Sequence, residues 1–184
     1  MGLDHPESVR SLVNLDVMPS LEAFEAMDDS LAYSWFHWHL MRQPAPLPEA
    51  MIGADPGRYL DFIFASWTKV EGAITPEAYA EYLRCFSKPE SIRASCADYR
   101  AVALDLEHDR ADRGKQLRCP VLVLWGAEMP RRPGWQTGKS LDMMAVWRSR
   151  AEDVTGGPLA CGHFIPEELP DELVRELFAF LPAE

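Results

Sequence analysis

The segment Cys119-Pro120-Val121-Leu122-Val123-Leu124-Trp125-Gly126 carries no polar side chain between positions 120 and 126. A strand with one wet face alternates apolar and polar residues. An unbroken apolar run of this length fits a strand covered on both faces, as in a parallel sheet between helix layers. Such a strand cannot stand alone, because parallel neighbours are joined by long crossovers that lay helices over the sheet. Two other runs supply candidate neighbours, Val9 to Leu15 and, more weakly, Asp153 to Gly157. Three strands make a very small sheet, so the chain has the character of the second half of a larger fold.

Between the first two strands, from about Val17 to Gly114, apolar residues recur at helical spacing. Thr75-Pro76 is a helix start, a hydroxyl cap followed by proline at the first helical position. After it Tyr79, Tyr82, Leu83 and Phe86 share one face. Ile92, Cys96, Tyr99, Ala103 and Leu106 predict a second stripe, and Tyr59, Leu60, Ile63, Phe64 and Trp67 a third. Pro44, Pro46 and Pro48 mark a stiff connector between helices. A last helix is expected from about Pro166 to Leu181, burying Leu169, Leu173, Leu177 and Phe180. The expected architecture is α/β: a core portion of residues 1–16 and 115–184, with a helical cap of residues 17–114 inserted after the first strand. The long crossover predicts that Val9–Leu15 and Cys119–Trp125 pair in parallel.

Composition narrows the function. The 184 residues carry 18 basic and 29 acidic side chains, a net charge of −11. A nucleic-acid groove needs a basic surplus, so no nucleic-acid partner is expected. No apolar run is long enough to span a bilayer, and no membrane partner is expected. The start, Met1-Gly2-Leu3-Asp4-His5-Pro6, has no apolar leader core. Cys85, Cys96, Cys119 and Cys161 match neither a zinc clip nor a dense disulfide framework, and a reduced, cytoplasmic setting is the expectation.

Asp4-His5-Pro6-Glu7-Ser8-Val9, followed by Leu12-Val13-Asn14-Leu15-Asp16-Val17-Met18-Pro19, resembles the α/β-hydrolase fold just after its nucleophile helix. Ser34-Trp35-Phe36-His37-Trp38, Trp67-Thr68-Lys69, Ala78-Tyr79-Ala80-Glu81-Tyr82 and Asp98-Tyr99-Arg100-Ala101 are similar to the cap of haloacetate (fluoroacetate) dehalogenases. Leu117 to Gly126 and Cys161-Gly162-His163-Phe164 resemble that family's last strands and histidine loop. The resemblance implies a partial α/β-hydrolase fold, the last parallel strands and helices of the core with an inserted helical cap. It also implies a reaction in which an aspartate displaces halide to form an ester, which a histidine-activated water then hydrolyses. It makes His163 the general base and Asp16 its acid partner. His37, Trp38 and Tyr99 become halide-binding donors, a small haloacid the substrate, and no cofactor or metal is implied. In the family the nucleophile precedes the motif that here starts at His5. No nucleophile elbow of the Gly-x-Asp-x-Gly or Gly-x-Ser-x-Gly kind is therefore expected, nor turnover by this chain alone. Self-association, or association with a missing half, follows from the same expectation. Another hydrolase of this fold, such as an epoxide hydrolase, and a non-catalytic truncated or binding remnant are the alternatives.

Plainer readings stand beside each residue. Asp16 competes with Ser20 for capping the next helix, and Glu128, after the second strand, is the alternative acid. Tyr99 lies on an apolar stripe and serves equally as core. His37 and His39, two apart on a helix, point about 200° apart and do not converge on one metal ion. Gly134 to Ser140 imitates a phosphate loop but has three residues between its glycines where that loop needs four. Cys161 is expected as a buried thiol rather than a partner of His163.

Overall fold

The computed structural model describes residues 1–128 and 142–181, so the segment 129–140, with its phosphate-loop imitation, lies outside the described residues. A 3-10 turn, Pro6–Ser8, leads into strand β1 (Leu12–Leu15). Seven helices follow: α1 (Ser20–Glu25), α2 (Asp29–Ser34), α3 (Phe36–Met41), α4 (Leu47–Ala54), α5 (Pro56–Trp67), α6 (Pro76–Phe86) and α7 (Pro89–Ala111). The chain then returns to the sheet as β2 (Val121–Gly126), α8 (Met143–Arg150), β3 (Val154–Leu159), α9 (Ile165–Glu168) and α10 (Pro170–Phe180).

The sheet order is β1-β2-β3 and both pairings are parallel, with Leu12 opposite Val121 and Val121 opposite Val154. The expected neighbours are found, with corrected ends. β1 opens at Leu12 rather than Val9, because the Val9 N–H closes the 3-10 turn on the Pro6 carbonyl. β2 begins after Pro120, which has no N–H to give the ladder but accepts from Leu12 N. β3 is displaced from 153–157 to Val154–Leu159. Gly156 explains part of that shift. Its φ is +113°, and a Cβ there would lie 2.1 Å from the Val123 carbonyl oxygen, so the strand closes on β2 only with glycine at this point.

β2 is the centre of the core, and its side chains alternate between two layers. Leu122 and Leu124 pack with Leu159, Cys161, Ile165 and Leu173, beneath α9 and α10. Val121 and Val123 face the other way, against Trp147 and Ala151. This double coverage is what the unbroken apolar run requires. The helices between β1 and β2 have their own core of Met41, Ile52, Ile92 and Cys96, flanked by Tyr59, Phe86 and Tyr99.

Helix signals hold locally. Thr75 Oγ1 accepts from Ala78 N, capping α6 as the sequence predicts. On α7 the stripe moves by one place: Val102 is buried where Ala103 was expected, and Ala103 is exposed. A period of 3.6 lets a long helix drift across its neighbours, so either position fits the pattern alone. The expected last helix is two helices, because Leu169 leaves helical geometry before Pro170. Among the described residues no helix is long and apolar enough to cross a membrane.

Candidate active site

Asp16 stands immediately after β1 with φ at +55°, a left-handed backbone that non-glycine residues seldom adopt. Its N–H donates to the Leu124 carbonyl at 2.7 Å. Its carboxylate Oδ1 accepts from Gly126 N at 3.2 Å. The carboxylate is thereby fixed at the carboxyl ends of β1 and β2, where parallel sheets present their ligand sites. The turn aims Oδ2 at His163, which stands on the loop between β3 and α9, and Oδ2 lies 2.6 Å from His163 Nδ1. A carboxylate can only accept here, so Nδ1 carries the proton and the Nε2 lone pair is left to act as a base. Asp16 is 13% exposed and His163 35%, so the carboxylate is shielded while the imidazole stays within reach of water. Asp16 caps no helix; α1 starts after Pro19 with no side-chain cap.

The three expected halide donors meet. The His37 and Trp38 rings lie 5.6 and 5.3 Å from that of Tyr99, edge on. Trp67, which the sequence offers on an apolar stripe and in a segment that resembles the dehalogenase cap, but with no donor role, joins the group. Its ring lies 4.6 Å from His37 and 5.3 Å from His163, and so joins the aromatic cluster to the histidine. The His37 Nδ1 and Trp67 Nε1 atoms are buried without a hydrogen-bond partner among the described residues. Burial, then the neighbouring His163 and His39, pushes the His37 pKa down to about 3, so its ring is neutral at ordinary pH. Burial also raises the Tyr99 pKa, and its hydroxyl keeps its proton. The cluster therefore offers polar hydrogens and no full positive charge.

Glu128, the alternative acid, pairs instead with Lys69, Oε2 to Nζ at 2.9 Å. Its backbone N–H donates to the Cys161 carbonyl, so it stands beside the histidine loop while its side chain serves an ion pair. The expectation that no Gly-x-Asp-x-Gly string occurs is corrected: Gly53-Ala54-Asp55-Pro56-Gly57 has that pattern. It joins α4 to α5, and Asp55 Oδ1 accepts from Arg58 N at 2.9 Å as a helix cap. A nucleophile elbow turns from strand to helix, which this junction does not do. Cys161 is fully buried, and burial lifts its thiol to about 11. Among the described residues no group of three or more His, Cys, Asp or Glu could hold a metal ion. Glu168 is a buried carboxylate against the histidine loop that sequence reasoning passed over.

No protein-family model matches the chain. It is 38% identical, over 98% of its length, to a fluoroacetate dehalogenase from Burkholderia sp., of which it spans 58%. It is 26% identical, over 96% of its length, to a soluble epoxide hydrolase from Corynebacterium sp. strain C12, of which it spans 60%. A solved structure from Nostoc sp. PCC 7120, described as an α/β hydrolase, matches the whole chain with a TM-score of 0.90 at 43% identity, and 61% of that protein is covered. The chain thus spans about three-fifths of the length of these relatives. Sequence and fold together give the chain the architecture of the α/β-hydrolase fold, and along nearly its whole length it is similar to part of a fluoroacetate dehalogenase.

Proposed function

We propose that this chain supplies the water-activating pair and the halide-receiving cap of a haloacetate dehalogenase-type hydrolase. The observation that carries the reading is the continuity of one site. Asp16 holds His163, Trp67 joins His163 to His37, and His37 meets Trp38 and Tyr99. In the reaction the family resemblance implies, a carboxylate displaces halide from the α-carbon, leaving an enzyme ester and a halide ion. His163 Nε2 then takes a proton from water, and the hydroxide attacks the ester carbonyl. The ester C–O bond breaks, a hydroxy acid leaves, the carboxylate is restored and His163 gives up its proton. Asp16 stabilises the imidazolium formed in between. The cluster's N–H and O–H groups meet the leaving halide, which gains charge as the carbon–halogen bond breaks.

The 184 residues hold a base, its acid partner and halide donors, but their Gly-x-Asp-x-Gly string joins two helices and they carry no Gly-x-Ser-x-Gly string. The chain alone is therefore expected to release no fluoride or chloride from haloacetates above buffer background, measured by ion chromatography. Fused to the part of the Burkholderia relative that it does not cover, it is expected to turn over. A folded fusion that makes diols from epoxides and releases no halide would move the assignment to the epoxide hydrolases, the class of the Corynebacterium relative.

A further inference from the structure

The loop that carries His163 is tied down by a residue whose hydrogen bonds go to backbone amides and not to Asp16 or the His163 ring. Glu168, the last residue of α9, is 5% exposed, yet its carboxylate is fully used. Oε2 accepts from Lys69 N at 2.7 Å, Val70 N at 2.9 Å and Gly162 N at 2.9 Å. Oε1 accepts from Phe164 N at 3.0 Å. The N–H between them, that of His163, donates to the Trp67 carbonyl at 2.8 Å. All three consecutive amides of the histidine loop are thus bound, two by Glu168 and the third by the strand of chain that Glu168 also holds. Hydrogen bonds to a charged acceptor are stronger than neutral ones, and a carboxylate kept out of water demands such partners.

The packing around the loop is close. A Cβ on Gly162 would lie 2.2 Å from the Trp67 carbonyl oxygen and 2.9 Å from both Lys69 N and Glu168 Oε1. On the opposite side a Cβ on Gly126 would lie 2.1 Å from the Gly162 carbonyl oxygen. Gly126 is also the residue whose N–H holds Asp16 Oδ1. The stack runs without a gap from the β2 end, through the histidine loop, to the exit of α5.

We infer that Glu168 is a positioning residue, which sets the His163 ring against Asp16 and keeps Trp67 in register with both by gathering the backbone of 69–70 and 162–164 onto one buried carboxylate. The inference rests on the proposed role of His163 for its meaning in catalysis, but its geometry can be tested without any reaction. The probe is the Nδ1 proton of His163 in the isotope-labelled 184-residue chain, identified by its loss in Asp16→Asn. In Glu168→Gln one oxygen becomes an NH2 group that faces a backbone N–H. Exchange of the His163 ring proton with solvent is then expected to speed by about tenfold, the value of one charged hydrogen bond. The same acceleration is expected at the amides of 69–70 and 162–164, while the buried cap residue Cys96 keeps the wild-type rate. Glu167→Gln, a change at a neighbour that bonds Tyr82 instead, is expected to leave the ring proton unchanged.

An unaltered His163 proton in folded Glu168→Gln, or acceleration spread evenly over the molecule, would overturn the inference. Should that variant not fold, native-state exchange of the wild type decides. The four amides held by Glu168 and the His163 ring proton are expected to open with one shared free energy, and separate openings would overturn it. Coupled opening together with a fusion that releases no halide would leave Glu168 in place and sink the dehalogenase reading instead.

Discussion

His37 is a residue whose chemistry its surroundings change strongly. An unfolded histidine titrates near 6.5, whereas burial holds His37 down to about 3. Between those values the unfolded chain binds a proton that the folded chain refuses. The contribution of this group to stability is therefore fully present above about pH 6.5 and falls on acidification, by up to about 1.4 kcal/mol per pH unit. His37→Phe is expected to flatten that slope, which urea titrations of both chains between pH 7 and 5 would show. Equal slopes would contradict the burial argument. Gly126 makes a second prediction at this scale. Its Cβ position overlaps backbone, which cannot swing aside as a side chain can, so Gly126→Ala is expected to cost about 1–3 kcal/mol or more. The same urea titration measures it. Resemblance made Asp16 and His163 legible, and the 2.6 Å contact joins them. Glu168 was not legible. In sequence it is one acid among several at the start of a terminal helix, and its partners Lys69 and Val70 lie 99 and 98 residues away. The resemblance marked the Trp67 segment as cap, but an apolar stripe does not announce which of its members packs against a histidine.

At the scale of elements, the strands and caps that rest on local physics were read well. The β2 run announces double coverage, and Thr75 followed by proline announces α6. Thr75→Ala is expected to cost about 1 kcal/mol, seen as a lower thermal midpoint, because Ala78 N loses its acceptor. Asp55→Ala is expected to cost about as much, with no loss of halide release in the fusion, since Asp55 is a cap and not a nucleophile. A fusion silenced by Asp55→Ala while still folded would contradict that. The elements read less well are those where tertiary contact decides between equal local choices. Val102 rather than Ala103 turns inward on α7, where the helical period alone admits either.

For the molecule as a whole, the sheet and one helix leave apolar surface open. Among the described residues β1 is paired on one side alone, by β2. On α10 Val174 and Phe178, one turn apart, are 47% and 80% exposed. An open edge and an uncovered apolar face invite association, which a net charge of −11 opposes only in part. Light scattering is expected to show a mass that rises with concentration, and Phe178→Glu is expected to reduce the rise. A compact monomer at every concentration would contradict this. The most direct test of the proposal that His163 activates water against an enzyme ester is the stoichiometry of halide release from fluoroacetate. It is measured by the fusion with the uncovered part of the Burkholderia relative, with and without His163→Asn. With His163 present, release is expected to continue through many turnovers. With asparagine it is expected to stop at about one halide per protein, because the ester forms and no base activates water against it. Continued turnover by the His163→Asn fusion would contradict the account.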